Sequence, residues 1–283
     1  MDILSGQLVF FTVRVEKSTD AHSDGTTYRD TPCVLALPKK KRVEERIPVI
    51  LFAHGFRGFV TADRWREIEK TETDIVDFFL DNGYAVFDVD NTEGALDGRT
   101  DLGCPQLMES YLKAWDVIRC KYPVQDTFFI YAQSFGTFTA MNLMVHHRSM
   151  VKAACLTGCR FSIRAVFERG PYFSNQIAAG FGFRDRSGTE WEEERVRAFD
   201  YYDLITVRNG KEVLPLILPP VFALISTGDT REFDIALRAL RAMENSGNTF
   251  HLHVADGLNH AQICDCAEPG LRKDVLCWLE KYC

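Results

Sequence analysis

The chain has 283 residues, 46% hydrophobic and 26% charged, a balance that excludes intrinsic disorder and fibrous repeats. Its 33 basic and 40 acidic residues give a formal charge of -7, without the basic excess that nucleic-acid binding calls for, so no nucleic-acid partner is expected. Nine cysteines are too sparse for a disulfide scaffold, and no apolar run approaches the roughly 20 residues of a membrane span, so no membrane partner is expected either. The opening Met1-Asp2-Ile3-Leu4-Ser5-Gly6 has an early acid and no basic stretch leading into an apolar one. Free thiols and a cytoplasmic location follow as expectations.

In chain order, residues 7–15 and 31–37 come before any helical pattern and read as an antiparallel lead-in. Short apolar runs rich in β-branched and aromatic residues then predict buried strands at 47–53, 84–89, 127–132, 151–156 and 221–226. Helices are predicted between them. One spans 73–80 and is closed by Asn82-Gly83, and another spans 107–118, where Leu107, Tyr111, Leu112, Trp115 and Ile118 share a face. Two more are predicted at 233–243 and 271–282. At 250–254, Phe250, Leu252 and Val254 alternate with His251 and His253, which suits a strand near a sheet edge with one wetter face. Strands alternating with helices imply βαβ units and a mainly parallel sheet. Lys39-Lys40-Lys41-Arg42 resembles a short nuclear-import signal, but a block of like charge is more often an exposed connection, and it is read as a solvated turn between two strands. Residues 160–220 break the rhythm and are too long for an ordinary loop, so they are expected to form an inserted lid or cap.

Chemistry is concentrated at Tyr131-Ala132-Gln133-Ser134-Phe135-Gly136, which follows a predicted strand and precedes an apolar helical stretch. Small residues two before and two after a serine permit a sharp strand-to-helix turn that lifts its side chain clear. Ser134 is thus the candidate nucleophile, and a hydroxyl needs a base and an acid that orients the base. Asp229 ends the 221–226 strand, and His260 lies in the loop after 250–254. Asp256, four residues before His260, is the weaker choice of acid.

In the order Ser134, Asp229, His260, the sequence resembles the α/β-hydrolase fold family of serine hydrolases. Phe52-Ala53-His54-Gly55-Phe56-Arg57-Gly58 is similar to that family's oxyanion loop. The resemblance implies a mostly parallel central sheet with an antiparallel N-terminal lead-in, helices on both faces and a lid insertion. The catalytic domain would comprise 1–159 and 221–283, with the lid at 160–220. It also implies backbone N–H groups of Phe56 and Phe135 as the oxyanion hole, and a structural rather than catalytic His54. No cofactor and no metal are called for, since His260 has a role already and zinc generally needs four ligands.

Ten of the 42 residues from 161 to 202 are aromatic, about twice the 12% of the whole chain. Phe161, Tyr172 and Phe173 are therefore candidate substrate contacts, although the rings would equally suit a small core inside the lid. Arg57, Arg160, Arg164 and Arg169 are either binders of a substrate carboxylate or ordinary surface arginines. The similarity is to carboxylesterases, including the cinnamoyl or feruloyl esterase type, and more distantly to prolyl-oligopeptidase catalytic domains. The expected partner is a small-molecule ester. A peptidase, a thioesterase or a non-catalytic binding protein on the same fold are the alternatives, and monomer and homodimer both stay open.

Overall fold

The computed structural model describes residues 6–16, 28–38, 46–55, 60, 73–90, 103–185, 187–202, 217–230 and 232–283. The Lys39 to Arg42 run lies outside the described residues.

Among the described residues, eight strands form one sheet. They are β1 (Leu8–Glu16), β2 (Tyr28–Ala36), β3 (Val49–Ala53), β4 (Ala85–Val89), β5 (Phe128–Gln133), β6 (Val151–Thr157), β7 (Val221–Ser226) and β8 (Phe250–Ala255), in spatial order β1-β2-β4-β3-β5-β6-β7-β8. β1 pairs antiparallel with β2, and β2 antiparallel with β4, while every later pairing is parallel. The antiparallel lead-in is therefore present, and β8 closes the opposite edge. Helices are α1 (Thr73–Asp81), α2 (Pro105–Lys121), α3 (Gly136–His146), α4 (Ile163–Phe167), α5 (Pro171–Gly180), α6 (Glu193–Val196), α7 (Phe233–Asn245), α8 (His260–Cys264) and α9 (Pro269–Glu280).

Strand periodicity assigns the two sheet faces. Val49, Leu51 and Ala53 of β3 join one apolar cluster and Ile50 and Phe52 the other; Phe128, Ile130 and Ala132 of β5 likewise oppose Phe129 and Tyr131. Because both faces are covered, these strands are apolar throughout instead of alternating with polar residues. α2, α3 and α7 contribute to the first cluster, and α1, α8 and α9 to the second. In the first, Trp115 of α2 stacks on Phe87 at 5.9 Å and meets Phe128 edge-on at 5.1 Å. α2 begins two residues before the predicted 107, because Pro105 sits at its first turn, where a missing N–H leaves no bond unmade.

α4, α5 and α6 lie between β6 and β7. Phe161, Phe167, Phe181, Phe183 and Tyr201 from this stretch are buried in the same cluster as the α2, α3 and α7 side of the sheet. Its core is thus continuous with that of the sheet. No helix among the described residues is long and apolar enough to cross a membrane.

The chain places β4 on one side of β3 and β5 on the other. Such a reversal opens a crevice at the carboxyl ends of the strands, where ligands bind in open α/β sheets. Ser134 directly follows β5 at that crevice.

Candidate active site

Ser134 occupies the left-handed region at φ 50°. For a residue with a Cβ such a conformation costs about 1–3 kcal/mol and needs support from its surroundings. The support is visible. Ser134 N–H donates to Thr157 O at 2.9 Å, and Thr137 N–H returns to Ser134 O at 3.1 Å. A Cβ on Gly136 would lie 1.9 Å from Ala53 O, and one on Gly55 would lie 3.0 Å from the Ser134 Cβ. Both glycines therefore permit a close approach of backbones around the serine, and Gly136 is one of the two small residues that the serine motif asks for.

His260 is the first residue of α8, and that short helix has a complete capping box. The Asn259 side chain accepts from Gln262 N at 3.0 Å, while Gln262 Oε1 accepts from Asn259 N at 3.0 Å. At the other end, Cys264 O accepts from Tyr131 Oη at 2.7 Å and from Gln133 Nε2 at 2.8 Å. The helix carrying His260 is thereby tied to the strand carrying Ser134. Asp229 sits in the turn after β7, its N–H bonded to Ser226 O at 3.1 Å. Beside it, a Cβ on Gly228 would fall 2.6 Å from the Gly257 carbonyl carbon, so the loops after β7 and β8 touch through glycine backbone.

These loops bring Ser134, His260 and Asp229 into one line. Ser134 Oγ lies 2.8 Å from His260 Nε2, and His260 Nδ1 lies 2.6 Å from Asp229 Oδ2. An ionised carboxylate only accepts, which assigns the proton to Nδ1 and leaves the Nε2 lone pair facing the hydroxyl. Burial on its own would raise the Asp229 carboxyl, but the His260 hydrogen bond and the Arg160 charge outweigh it and hold the carboxyl below its ordinary value. Asp256 is turned elsewhere, accepting from Thr227 Oγ1 at 2.5 Å.

Several neighbours were not evident from sequence. Arg160 is buried against Asp229 and His260 and is not a surface residue. Gly158 has φ 56°, and a Cβ there would lie 3.0 Å from His260 Cε1 and 2.6 Å from Cys264 Sγ. A second histidine–carboxylate pair lies under the turn after β3. His54 Nδ1 is 2.9 Å from both oxygens of Asp88, and Tyr111 Oη reaches Asp88 Oδ1 at 3.1 Å. A signal for this pair was available, since an acid inside the apolar strand 84–89 is almost never buried unpartnered.

Among the candidate substrate contacts, Phe173 packs edge-on against Phe135 with centroids 5.8 Å apart, and Tyr172 packs on Phe173 at 5.2 Å. The Arg169 guanidinium lies over both Phe135 and Phe173, at 5.7 and 5.8 Å. Tyr172 is 38% exposed, whereas Phe161 is fully buried. Phe56 and Arg57 lie outside the described residues. Phe135 directly precedes α3, next to Ser134.

No protein-family model and no curated protein matches this sequence. Solved structures do match. An S-formylglutathione hydrolase from Agrobacterium tumefaciens superposes with TM-score 0.63 at 12% identity, over 100% of this chain and 98% of its own. FphF, a fluorophosphonate-binding serine hydrolase of Staphylococcus aureus, gives 0.62 at 11% identity, over 96% and 98%. A prolyl endopeptidase gives 0.63 at 14% identity over 99% of this chain, which spans only 39% of that protein's length. The chain has the α/β-hydrolase fold.

Proposed function

We propose that this chain is a serine hydrolase of the carboxylesterase type, cleaving an ester of a small to medium, apolar or aromatic substrate. The observation that carries the reading is the continuous run from Ser134 Oγ through the His260 ring to Asp229, at 2.8 and 2.6 Å, at the carboxyl ends of parallel strands. Ser134 Oγ attacks the ester carbonyl carbon while its proton passes to His260 Nε2, and the carbonyl π electrons move onto oxygen. The tetrahedral species collapses, the C–O bond to the alcohol breaks, and the leaving oxygen takes the proton from His260. Water then adds to the acyl-enzyme with His260 as base, releasing the acid and restoring Ser134.

The oxyanion is held by the backbone N–H of Phe135 together with that of Phe56, as the resemblance implies. Residues 160–220 act as the lid, and Tyr172 and Phe173 offer an aromatic wall near Phe135 that favours apolar acyl or alcohol groups.

The test is covalent labelling by a fluorophosphonate probe. Wild type is expected to label at Ser134, and Ser134→Ala to lose the label. A folded wild type that takes up none would withdraw the proposal in favour of a binding protein on the same fold. A panel of p-nitrophenyl esters, methyl ferulate and aminoacyl amides then separates esterase from peptidase, and turnover of the amides alone would overturn the ester assignment.

A further inference from the structure

Arginine is tolerated inside a protein only when its charge and its donors are matched. Arg160 leaves 3% of its side chain exposed, and its partners are the acid and base of the proposed site. Nη1 donates to Gly158 O at 3.1 Å and to Cys159 O at 2.9 Å, fixing the head group to the turn after β6. Nη2 lies 3.2 Å from both carboxylate oxygens of Asp229 and 3.0 Å from His260 Nδ1. Nε faces Glu232 Oε2 at 4.0 Å, and Glu232 pairs in turn with Arg169, which sits over Phe135 and Phe173.

The approach of Nη2 to Nδ1 brings two donors together, which is tolerable because both have the same acceptor. His260 holds the shorter bond, 2.6 Å to Oδ2, and the guanidinium straddles the two oxygens at 3.2 Å. A carboxylate offers about four lone-pair sites, enough for both donors. Without Arg160, the buried Asp229 would keep the His260 Nδ1–H donor but lose its adjacent cation, and the carboxylate plane would lose its second anchor.

The geometry points to Arg160 as a positioning residue: it clamps the Asp229 carboxylate in the orientation that receives His260 Nδ1–H, and Glu232 and Arg169 connect that clamp to the segment carrying Tyr172 and Phe173. This inference rests on the serine-hydrolase reading above. Removing a cation 3.0 Å from the ring also makes a positive charge on the imidazole easier to form. Among the described residues, the other ionisable groups around the ring do not compete for this effect. The Cys264 thiol, 3.8 Å from Nε2, is pushed well up by burial, and Cys159 is pushed up to about 12 for the same reason, so both are neutral. Glu232 and Arg169 neutralise one another beyond the guanidinium.

The experiment measures the rate of Ser134 labelling by a fluorophosphonate probe from about pH 5 to 8, where imidazole titrates, in wild type, Arg160→Met and Arg160→Lys. Arg160→Met is expected to label about 10- to 100-fold more slowly at neutral pH, since small misplacements of a reacting group carry penalties of that size. Its acid limb is expected to move to higher pH. Arg160→Lys keeps the charge but not the fork, so its limb stays in place and its rate falls between the other two. Wild-type rate and limb in Arg160→Met overturn the proposal, as do two equally slowed variants with unmoved limbs, which would mean simple packing. If the methionine variant lacks a cooperative unfolding transition, the lysine variant decides alone, and a wild-type rate in it overturns the clamp. A wild type that does not label withdraws the hydrolase reading itself, an outcome distinct from failure of the clamp.

Discussion

Gly158 lies beneath the His260 ring, and its environment defines what that position tolerates. Its φ of 56° is strained for any L side chain, and a Cβ would stand 3.0 and 3.2 Å from ring atoms of His260 and 2.6 Å from Cys264 Sγ. Gly158→Ala is therefore expected to cost about 1–3 kcal/mol of stability and to slow fluorophosphonate labelling by on the order of 100-fold by tilting the ring. Urea unfolding and the labelling rate check both, and unchanged labelling would mean that the ring does not depend on this floor. The residues legible in sequence were those whose chemistry forces a pattern: a serine flanked by small residues, an acid at a strand end, and a histidine in the following loop. The structure brings those three within hydrogen-bond reach. Arg160 carried no such pattern, because three arginines, Arg160, Arg164 and Arg169, follow one another at that point in the chain and nothing in their order says which one turns inward.

For the elements, what matters is how a five-residue helix holds one histidine. A helix this short has too little cooperativity to persist unaided, so α8 depends on its ends. Its N-terminus is closed by the reciprocal Asn259 and Gln262 bonds, and its last carbonyl is held by Tyr131 and Gln133 from β5. Asn259→Ala removes one half of the capping box and is expected to cost about 1 kcal/mol. Because His260 is the adjacent residue, the labelling rate should drop as well. A thermal scan paired with the labelling assay would show this, and lost stability with full labelling would separate the cap from the site. Strands 47–53, 127–132 and 221–226 were readable because burial on both faces demands an unbroken apolar run. α4, α5 and α6, with 5, 10 and 4 residues, were not individually readable. Helices of that length show too few turns for a period to emerge. Their aromatic density fitted a substrate pocket and a small core inside the lid equally, and only three-dimensional packing could show that Phe161, Phe167, Phe183 and Tyr201 extend the core of the sheet.

Across the whole molecule, the network His260, Asp229, Arg160, Glu232, Arg169 joins the ends of β6, β7 and β8 to the segment between β6 and β7, so folding stability and the site are linked through titration. Asp229 binds a proton less readily in the folded state than in the unfolded chain, despite burial, because of the His260 hydrogen bond and the Arg160 charge. A carboxyl lowered on folding contributes stability that is complete above its unfolded value of about 3.9 and is lost as pH falls through its lower folded value. Arg160→Met should shrink that contribution. The stability gap between wild type and Arg160→Met, taken from urea midpoints, is therefore expected to be widest at neutral pH and to narrow as pH falls below about 4. Asp185, held at about 2 by hydrogen bonds from Ser187 and Thr189, titrates in the same window, but it makes no contact with Arg160 and cancels in the difference. A gap that stays constant from neutral to acid pH would mean that Arg160 stabilises the fold by packing alone, with no electrostatic hold on Asp229.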